Sequence, residues 1–395
     1  MPENLLIIGS GSALGRAVTA ARQLGLAFVA ASPAKTDEIQ PEIGAVINYH
    51  STATLIQFAT DEGVDKAYAC SLDVLMDLAE VNQALDLPGV TTTTAERLVN
   101  RGEMHDRLDR VGLPVPRYRI VANAEDAVAA VKAIGRPVVF KPLDGHRGRG
   151  VRIVEYVEDV PLYFKKASSA STSEKVIVEE YLNGEVYVVE GELVGGVFPH
   201  PCVARKILDS WPHSTELGYL LPPDDGVVIE RLVEFTASAA RAFDLAESAV
   251  SAEVVFTKEG PRLLSMSNCL CASHTAAHVI PIHAHLDPIL ENLRRSCAIG
   301  TLTRPSNKQH AALLWLNCST GVVEGLTGLE EARKLEGVAA ACSLLQTGDL
   351  IGHTHDVAMR ERIGFVLAHG GSAKEALERA VRARECCHVV TRPTL

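Results

Sequence analysis

Positive charge is what this 395-residue chain lacks: 38 Lys and Arg stand against 49 Asp and Glu, a formal net charge of −11. Nucleic acid needs a basic face to neutralise its phosphates, so it is not an expected partner. The same sign argues against an anionic membrane surface. No window reaches about 18 uninterrupted apolar residues, so no membrane-spanning helix is expected. The start, MPENLLIIGSGSALG, has no basic n-region and runs straight into a glycine turn, unlike a signal peptide. Nine cysteines follow no framework spacing, and Cys269-x-Cys271 and Cys386-Cys387 lack a second pair at zinc spacing. Free thiols in a cytoplasmic setting are the expectation. Repeats and low-complexity segments are also missing. What remains is a metabolic type of chain, 47% hydrophobic and long enough for two or three cores.

Strands and helices alternate over the first 95 residues. NLLIIGS reads as a buried strand, ALGRAVTAARQLG as a helix ending at Gly25, and LAFVAAS, GAVINY and VDKAYAC as further strands. That pattern predicts a parallel α/β sheet. NRGEMHDRLDRVGLPVPRYRIV then gives a helix, a Gly-Leu-Pro stop and a strand. EKVIVEEYLNGEVYVVEGELVGGVFPHPCVARK gives three strands with tight turns at Asn183-Gly184 and Gly191, an antiparallel α+β pattern. Residues 165–175, KKASSASTSEK, are small and polar and predict a mobile loop. A helix is expected over about 227–244, then two strands meeting at Glu259-Gly260. In the tail, HAALLWLN is a strand, and GFVLAHGGSAKEALERAVRARECCHVV is strand, turn, Ser372-capped helix and strand.

Two glycine turns could carry chemistry. Gly9, Gly11 and Gly15 follow a strand, but the last gap is one residue too long for a dinucleotide fingerprint, and no acid closes the second strand. A bare strand-to-helix turn accounts for them better than a nicotinamide site. FKPLDGHRGRGV says more: Lys141 ends an apolar strand, and Gly145, Gly148 and Gly150 interleave with His146, Arg147 and Arg149. Such a turn offers backbone N–H groups and basic side chains to a phosphate, or is simply a basic hairpin loop. About thirty residues later VIVEEYLNGEVYVV presents Glu179, Glu180 and Glu185 around a hydrophobic strand. Carboxylates there suit ribose hydroxyls, and surface acids are the plainer alternative.

Taken in order, these motifs resemble the ATP-grasp superfamily over roughly residues 1–390. GFVLAHGGSAKEALERA is also similar to the C-terminal segment of its carboxylate–amine ligases of the amino-acid type. The fold class the resemblance implies is α/β: an ATP-grasp fold with a Rossmann-like N-terminal domain (1–95), a central α+β ATP-binding lid domain (96–190) and a C-terminal α+β domain (191–395). It implies ATP contacts by Arg101, Lys141, the lid residues His146, Arg147, Gly148, Arg149 and Gly150, and the adenine-edge stretch Glu179, Glu180, Tyr181 and Leu182. Glu185 matches the ribose acid. Glu253, in SAEVVF, matches the first metal-binding acid. The implied reaction activates a small carboxylate with ATP as an acylphosphate, which an amine then attacks. Small-molecule acid and amine are thus the partners, and related ligases are often dimers, which makes a homodimer one expectation.

The second metal strand departs from the family pattern of Glu, apolar, Asn, any residue, Arg. Here Ser265, Met266, Ser267, Asn268 and Cys269 occupy those places. Upstream, Ser248 and Ser251 stand where a Gly and a His are common. Serine hydroxyls can ligate Mg²⁺ but bring no charge, so tight two-metal binding is not expected; a one-residue bulge could bring Asn268 into play instead. This strand separates an active ligase from an ATP-grasp protein that binds nucleotide without ordinary turnover. For substrate, HPCVARKILDSWPHSTELGYLLP offers Arg205, Lys206, His213 and Glu216, unless it is a solvated loop. Arg205 is the preferred catalytic clamp, together with Lys141, because a guanidinium can hold a carboxylate in bidentate fashion. His274 follows the metal strand and is a substrate candidate. His274 with His278, and His283 with His285, also permit a zinc reading, though no Glu completes an HExxH pattern.

Overall fold

In the computed structural model, which describes residues 4–33, 46–145, 148–209, 215–300, 303–305, 309–352 and 357–393, the run NLLII forms strand β1 (Asn4–Ile8), buried from its second residue on. Strands β2 (Ala27–Pro33), β3 (Val46–Tyr49) and β4 (Lys66–Ala69) join it in the order β3-β2-β1-β4, all parallel. Helices Gly11–Gln23 and Thr52–Asp61 make the crossovers, as the alternation predicts. A Cβ on Gly9 would lie 2.7 Å from Cys70 Cβ, so the first glycine turn has a packing reason of its own.

The next sheet is antiparallel. It contains β5 (Tyr118–Val121), β6 (Val138–Pro142), β7 (Arg152–Val154) and β8 (Val176–Glu180) in the order β5-β8-β6-β7. Helices Ala124–Ile134 and Val160–Ser168 cover it, packing Val131, Ile134 and Val160 around the fully buried Phe140. The stretch 165–175 is not a loose loop. Lys165 and Lys166 belong to the helix Val160–Ser168, and Asp144 then accepts from Ser171 Oγ at 2.6 Å, Thr172 N at 2.8 Å and Ser173 N at 3.0 Å. The small polar residues that suggested mobility are the ones a carboxylate can pin.

Strands β9 (Gly184–Glu192), β10 (Cys202–Leu208), β11 (Glu216–Leu221), β12 (Ala249–Thr257), β13 (Gly260–Ser267) and β14 (His310–Trp315) are followed by β15 (Gly321–Thr327), β16 (Val338–Cys342), β17 (Leu350–Ile351), β18 (Phe365–Gly370) and β19 (His388–Arg392). Eight of them form one sheet in the order β13-β12-β9-β10-β11-β14-β18-β16, while β17, β15 and β19 form a small separate one. Helix Gly226–Ala242 covers one face of the large sheet, burying Leu232 and Phe235 in a core with Tyr187, Val189 and Val254. Among the described residues, no helix is long and apolar enough to cross a membrane.

Two expected turns differ. Asn183-Gly184 does not close a hairpin: β8 stays in the four-stranded sheet and β9 opens the eight-stranded one. Gly191 lies inside β9, not at its end, beside Phe198 and the His200 carbonyl. Gly184 is needed for close approach, because a Cβ there would sit 2.3 Å from the Phe256 carbonyl oxygen of β12. Gly184→Ala should therefore destabilise the protein by about 1–3 kcal/mol in urea titration, by forcing two backbones apart. Gly226→Ala, which meets nothing within 4 Å, should be neutral or mildly stabilising. Equal midpoints for both variants would contradict this packing.

Candidate active site

The four-stranded sheet delivers one half of the site. Lys141, at the end of β6, is buried and places Nζ 2.7 Å from Glu179 Oε2 on β8. The other oxygen of Glu179 lies 3.1 Å from His105 Nε2 on the helix Arg101–Arg110. Burial alone would raise the Glu179 pKa, but Lys141 and His105 hold this carboxyl far below its usual range. Lys141 and Glu179 thus form one buried ion pair. Glu180 turns outward and accepts from the Arg117 backbone N and Nε. Tyr181 N donates to Pro137 O at 3.2 Å, and Tyr181 and Leu182, both half-buried, form the link to β9.

Arg101 begins its helix under the glycine-rich turn. Its guanidinium donates to Pro142 O at 2.9 Å and Gly145 O at 2.7 Å, while Nε is buried with no partner. Burial pulls its pKa down, against the upward pull of Glu179, Glu253 and Asp144. That set of neighbours matters, because Glu179 and Glu253 belong to different sheets. Gly148 and Gly150 have φ of 69° and 74°, conformations that other residues rarely adopt. Arg149 is exposed between them. His146 and Arg147 lie outside the described residues.

The large sheet delivers the other half. Antiparallel register sets Glu253 opposite Ser265 and Ser251 opposite Ser267. The register shifts between Glu253 and Val254, leaving Leu264 as the extra residue on β13. A bulge does occur, but it aligns Ser265 with Glu253 and leaves Asn268 beyond the strand, where its Oδ1 lies 3.5 Å from Cys269 Sγ. Ser267 Oγ already accepts from Cys269 N at 2.9 Å. Glu253 stands directly opposite Ser265, and its Oε1 is ion-paired with Lys206 Nζ. No group of three or more His, Cys, Asp and Glu able to hold a metal exists among the described residues, so the histidines assemble no zinc site there. The donor set of Glu253 Oε2 with the Ser265 and Ser267 hydroxyls fits one Mg²⁺ carried on phosphates; it does not fit two.

Alternation along the strands separates residues that the sequence groups together. Arg205 pairs with Tyr187, Tyr187 with Val254, and Glu185 with Phe256. These residues share the face covered by helix Gly226–Ala242, where Arg205 lies 3.1 Å from Glu185 and Tyr187 Oη donates to Glu185 at 2.6 Å. Glu253, Val188 and Ala204 share the opposite face, and at the level of Glu185 that face carries Val186, opposite Val255. Arg205 and Glu185 therefore lie on the face opposite Glu253.

Lys206 and Glu216 do join Glu253, and they lie on the paired strands β10 and β11 instead of in a solvated loop. Glu216 Oε2 lies 3.1 Å from Lys206 Nζ, and Oε1 accepts from Trp315 Nε1 at 2.8 Å. Burial would raise the Glu216 pKa; Lys206, then Arg360 and His274, bring it down to about 2. His274 is buried with both ring nitrogens unbonded, edge-on to Trp315 at 4.7 Å and parallel to His278 at 6.2 Å. Its Nε2 lies 3.5 Å from Glu361 Oε1. Arg360, also buried, has no partner for its Nε among the described residues. Trp315, Arg360 and Glu361 were not foreseen, because no local motif marks them: they reach the site from β14 and from helix Val357–Ile363. His213 lies outside the described residues.

Burial lowers the pKa of His274 from 6.5 to about 3 and that of His278 to about 4. Between those values and 6.5 the unfolded chain binds protons that the folded chain refuses. Stability is thus full above pH 6.5 and falls with acidity, by about 1.4 kcal/mol per pH unit for each histidine. Urea midpoints measured from pH 7 to 5 should drop steeply, and His274→Leu should make the slope shallower. A flat wild-type profile would contradict neutral burial.

Comparison with known proteins gives this geometry its setting. Residues 106–194 match the ATP-grasp domain, and residues 315–392 match the L-amino acid ligase C-terminal domain 2. Over 119 residues the chain is 35% identical to cyanophycin synthetase of Geminocystis herdmanii, a stretch that is 29% of this chain and 12% of that relative. The L-amino acid ligase of Bacillus licheniformis superposes with a TM-score of 0.82 at 16% identity, covering 99% of both chains. The biotin carboxylase domain of Hydrogenobacter thermophilus 2-oxoglutarate carboxylase, solved as a dimer with MgADP, ADP and bicarbonate, gives 0.70 at 16% identity, over 99% of this chain and 91% of that one. The chain has the ATP-grasp fold, with an ATP-grasp domain followed by an L-amino acid ligase C-terminal domain.

Proposed function

We propose that this protein is an ATP-dependent ligase joining a small carboxylic acid to an amine or amino acid. One observation carries the reading: Arg101, half-buried beside the glycine-rich turn, is close enough to feel both Glu179 of the four-stranded sheet and Glu253 of the eight-stranded sheet, so charged groups of the two sheets meet at one place. A carboxylate oxygen of the acid attacks the γ-phosphorus of ATP, and ADP leaves. The amine nitrogen then attacks the acyl carbon, and phosphate leaves. Arg101 supplies positive charge to the phosphates, Lys141 Nζ, paired with Glu179, supplies hydrogen-bond donors, and Gly145, Gly148 and Gly150 let backbone close over the acylphosphate and keep water from it. Mg²⁺, held by Glu253 and Ser265, would neutralise charge on the phosphate oxygens. The buried, unpaired Nε of Arg360 beside Glu216 and His274 suits a substrate carboxylate. A cytoplasmic homodimer is the form we expect, since one solved relative is a dimer.

A nucleotide-binding protein without turnover is the second reading, favoured by the pairing of Lys206 with the one metal-strand acid. ADP release decides between them. It should require ATP, an acid and an amine together, and Lys141→Ala should lower kcat/KM for ATP by about 100-fold. Tight nucleotide binding with no ADP from any amino-acid pair would establish the second reading.

A further inference from the structure

The paired strands β12 and β13 are short of acids, yet one cation is already built in beside them. Lys206 Nζ touches Glu253 Oε1 on β12 and lies 3.1 Å from Glu216 Oε2 on β11. It lies 5.9 Å from the centre of the Tyr219 ring. We propose that Lys206 is the second cation of this site: its ammonium fills the place between Glu253 and Glu216 that a second Mg²⁺ would take, so a single Mg²⁺ accompanies each nucleotide. The inference rests on the nucleotide reading of the site, though not on turnover.

Two observations support it. The Lys206 side chain is 12% exposed and that of Glu216 is 10% exposed, so the ammonium cannot drift into solvent as a surface lysine does. The remaining donors offer no alternative place. Glu190 shares the face of Glu253, but it is 1% exposed and accepts from Ser251 Oγ at 2.7 Å and Thr275 Oγ1 at 2.5 Å. Ser265 and Ser267 are neutral. A second divalent ion would therefore have to sit against an ammonium with no further carboxylate to hold it. Without the ammonium, Glu253 and Glu216 would face each other across a gap that suits a divalent cation.

The test is a count of bound Mn²⁺ per molecule of a non-hydrolysable ATP analogue, by electron paramagnetic resonance on the full chain. Wild type and Lys206→Arg should bind one, unchanged by a further tenfold rise in free Mn²⁺. Lys206→Met should bind two. Two ions in the wild type, or one in a folded Lys206→Met, would overturn the proposal. If Lys206→Met fails to fold, the wild-type count decides alone. If the analogue does not bind at all, the nucleotide reading falls and this inference with it.

Discussion

An ammonium group buried beneath a sheet is expensive unless carboxylates surround it, and Lys206 has two. Its contacts with Glu253 and Glu216 fix β10, β11 and β12 relative to one another at the level where the site is built. Glu216 extends the tie to β14 through Trp315 Nε1. Trp315 in turn packs edge-on against His274, which burial keeps neutral despite Glu216. Removing one member of such a buried cluster typically costs about 3–5 kcal/mol, because its partner is left charged and unpaired. The cluster is thus both the electrostatic centre of the site and a structural joint.

The N-terminal unit closes the site from the side. Tyr68 Oη donates to Asn292 at 2.5 Å, and Arg16 Nε donates to the Cys271 carbonyl at 2.7 Å. Ser12 Oγ lies 3.2 Å from both oxygens of Glu361. The segment that follows β13 is therefore clamped between helix Gly11–Gln23 and the C-terminal region. The first glycine turn serves this packing: Gly9 lets the chain come close to Cys70, whose thiol shares a buried cluster with Cys271.

Much of the fold was legible in the sequence. Alternating strands and helices gave the parallel sheet, and Lys141, Glu179 and Glu253 could be placed because each sits in or beside a recognisable strand motif. Other features needed register. Nothing local says that Arg205 and Glu185 turn to the helix-covered face while Lys206 turns to Glu253, since one residue of slip exchanges the two faces. Nor could the bulge at Leu264 be located, although it decides that Ser265, and not Asn268, stands opposite Glu253. Arg360 and Trp315 were invisible for another reason: they come from distant elements and meet the site only in the folded chain. The stretch 165–175 misled because polar side chains fit a free loop and a pinned one equally well.

A structure of the full chain with an ATP analogue and Mg²⁺ tests this account most directly. The analogue should lie between the four-stranded and eight-stranded sheets, with one metal on Glu253 Oε2 and Lys206 Nζ still on Oε1. A second metal between Glu253 and Glu216 with Lys206 displaced, or nucleotide on the Glu185 face of the large sheet, would contradict it.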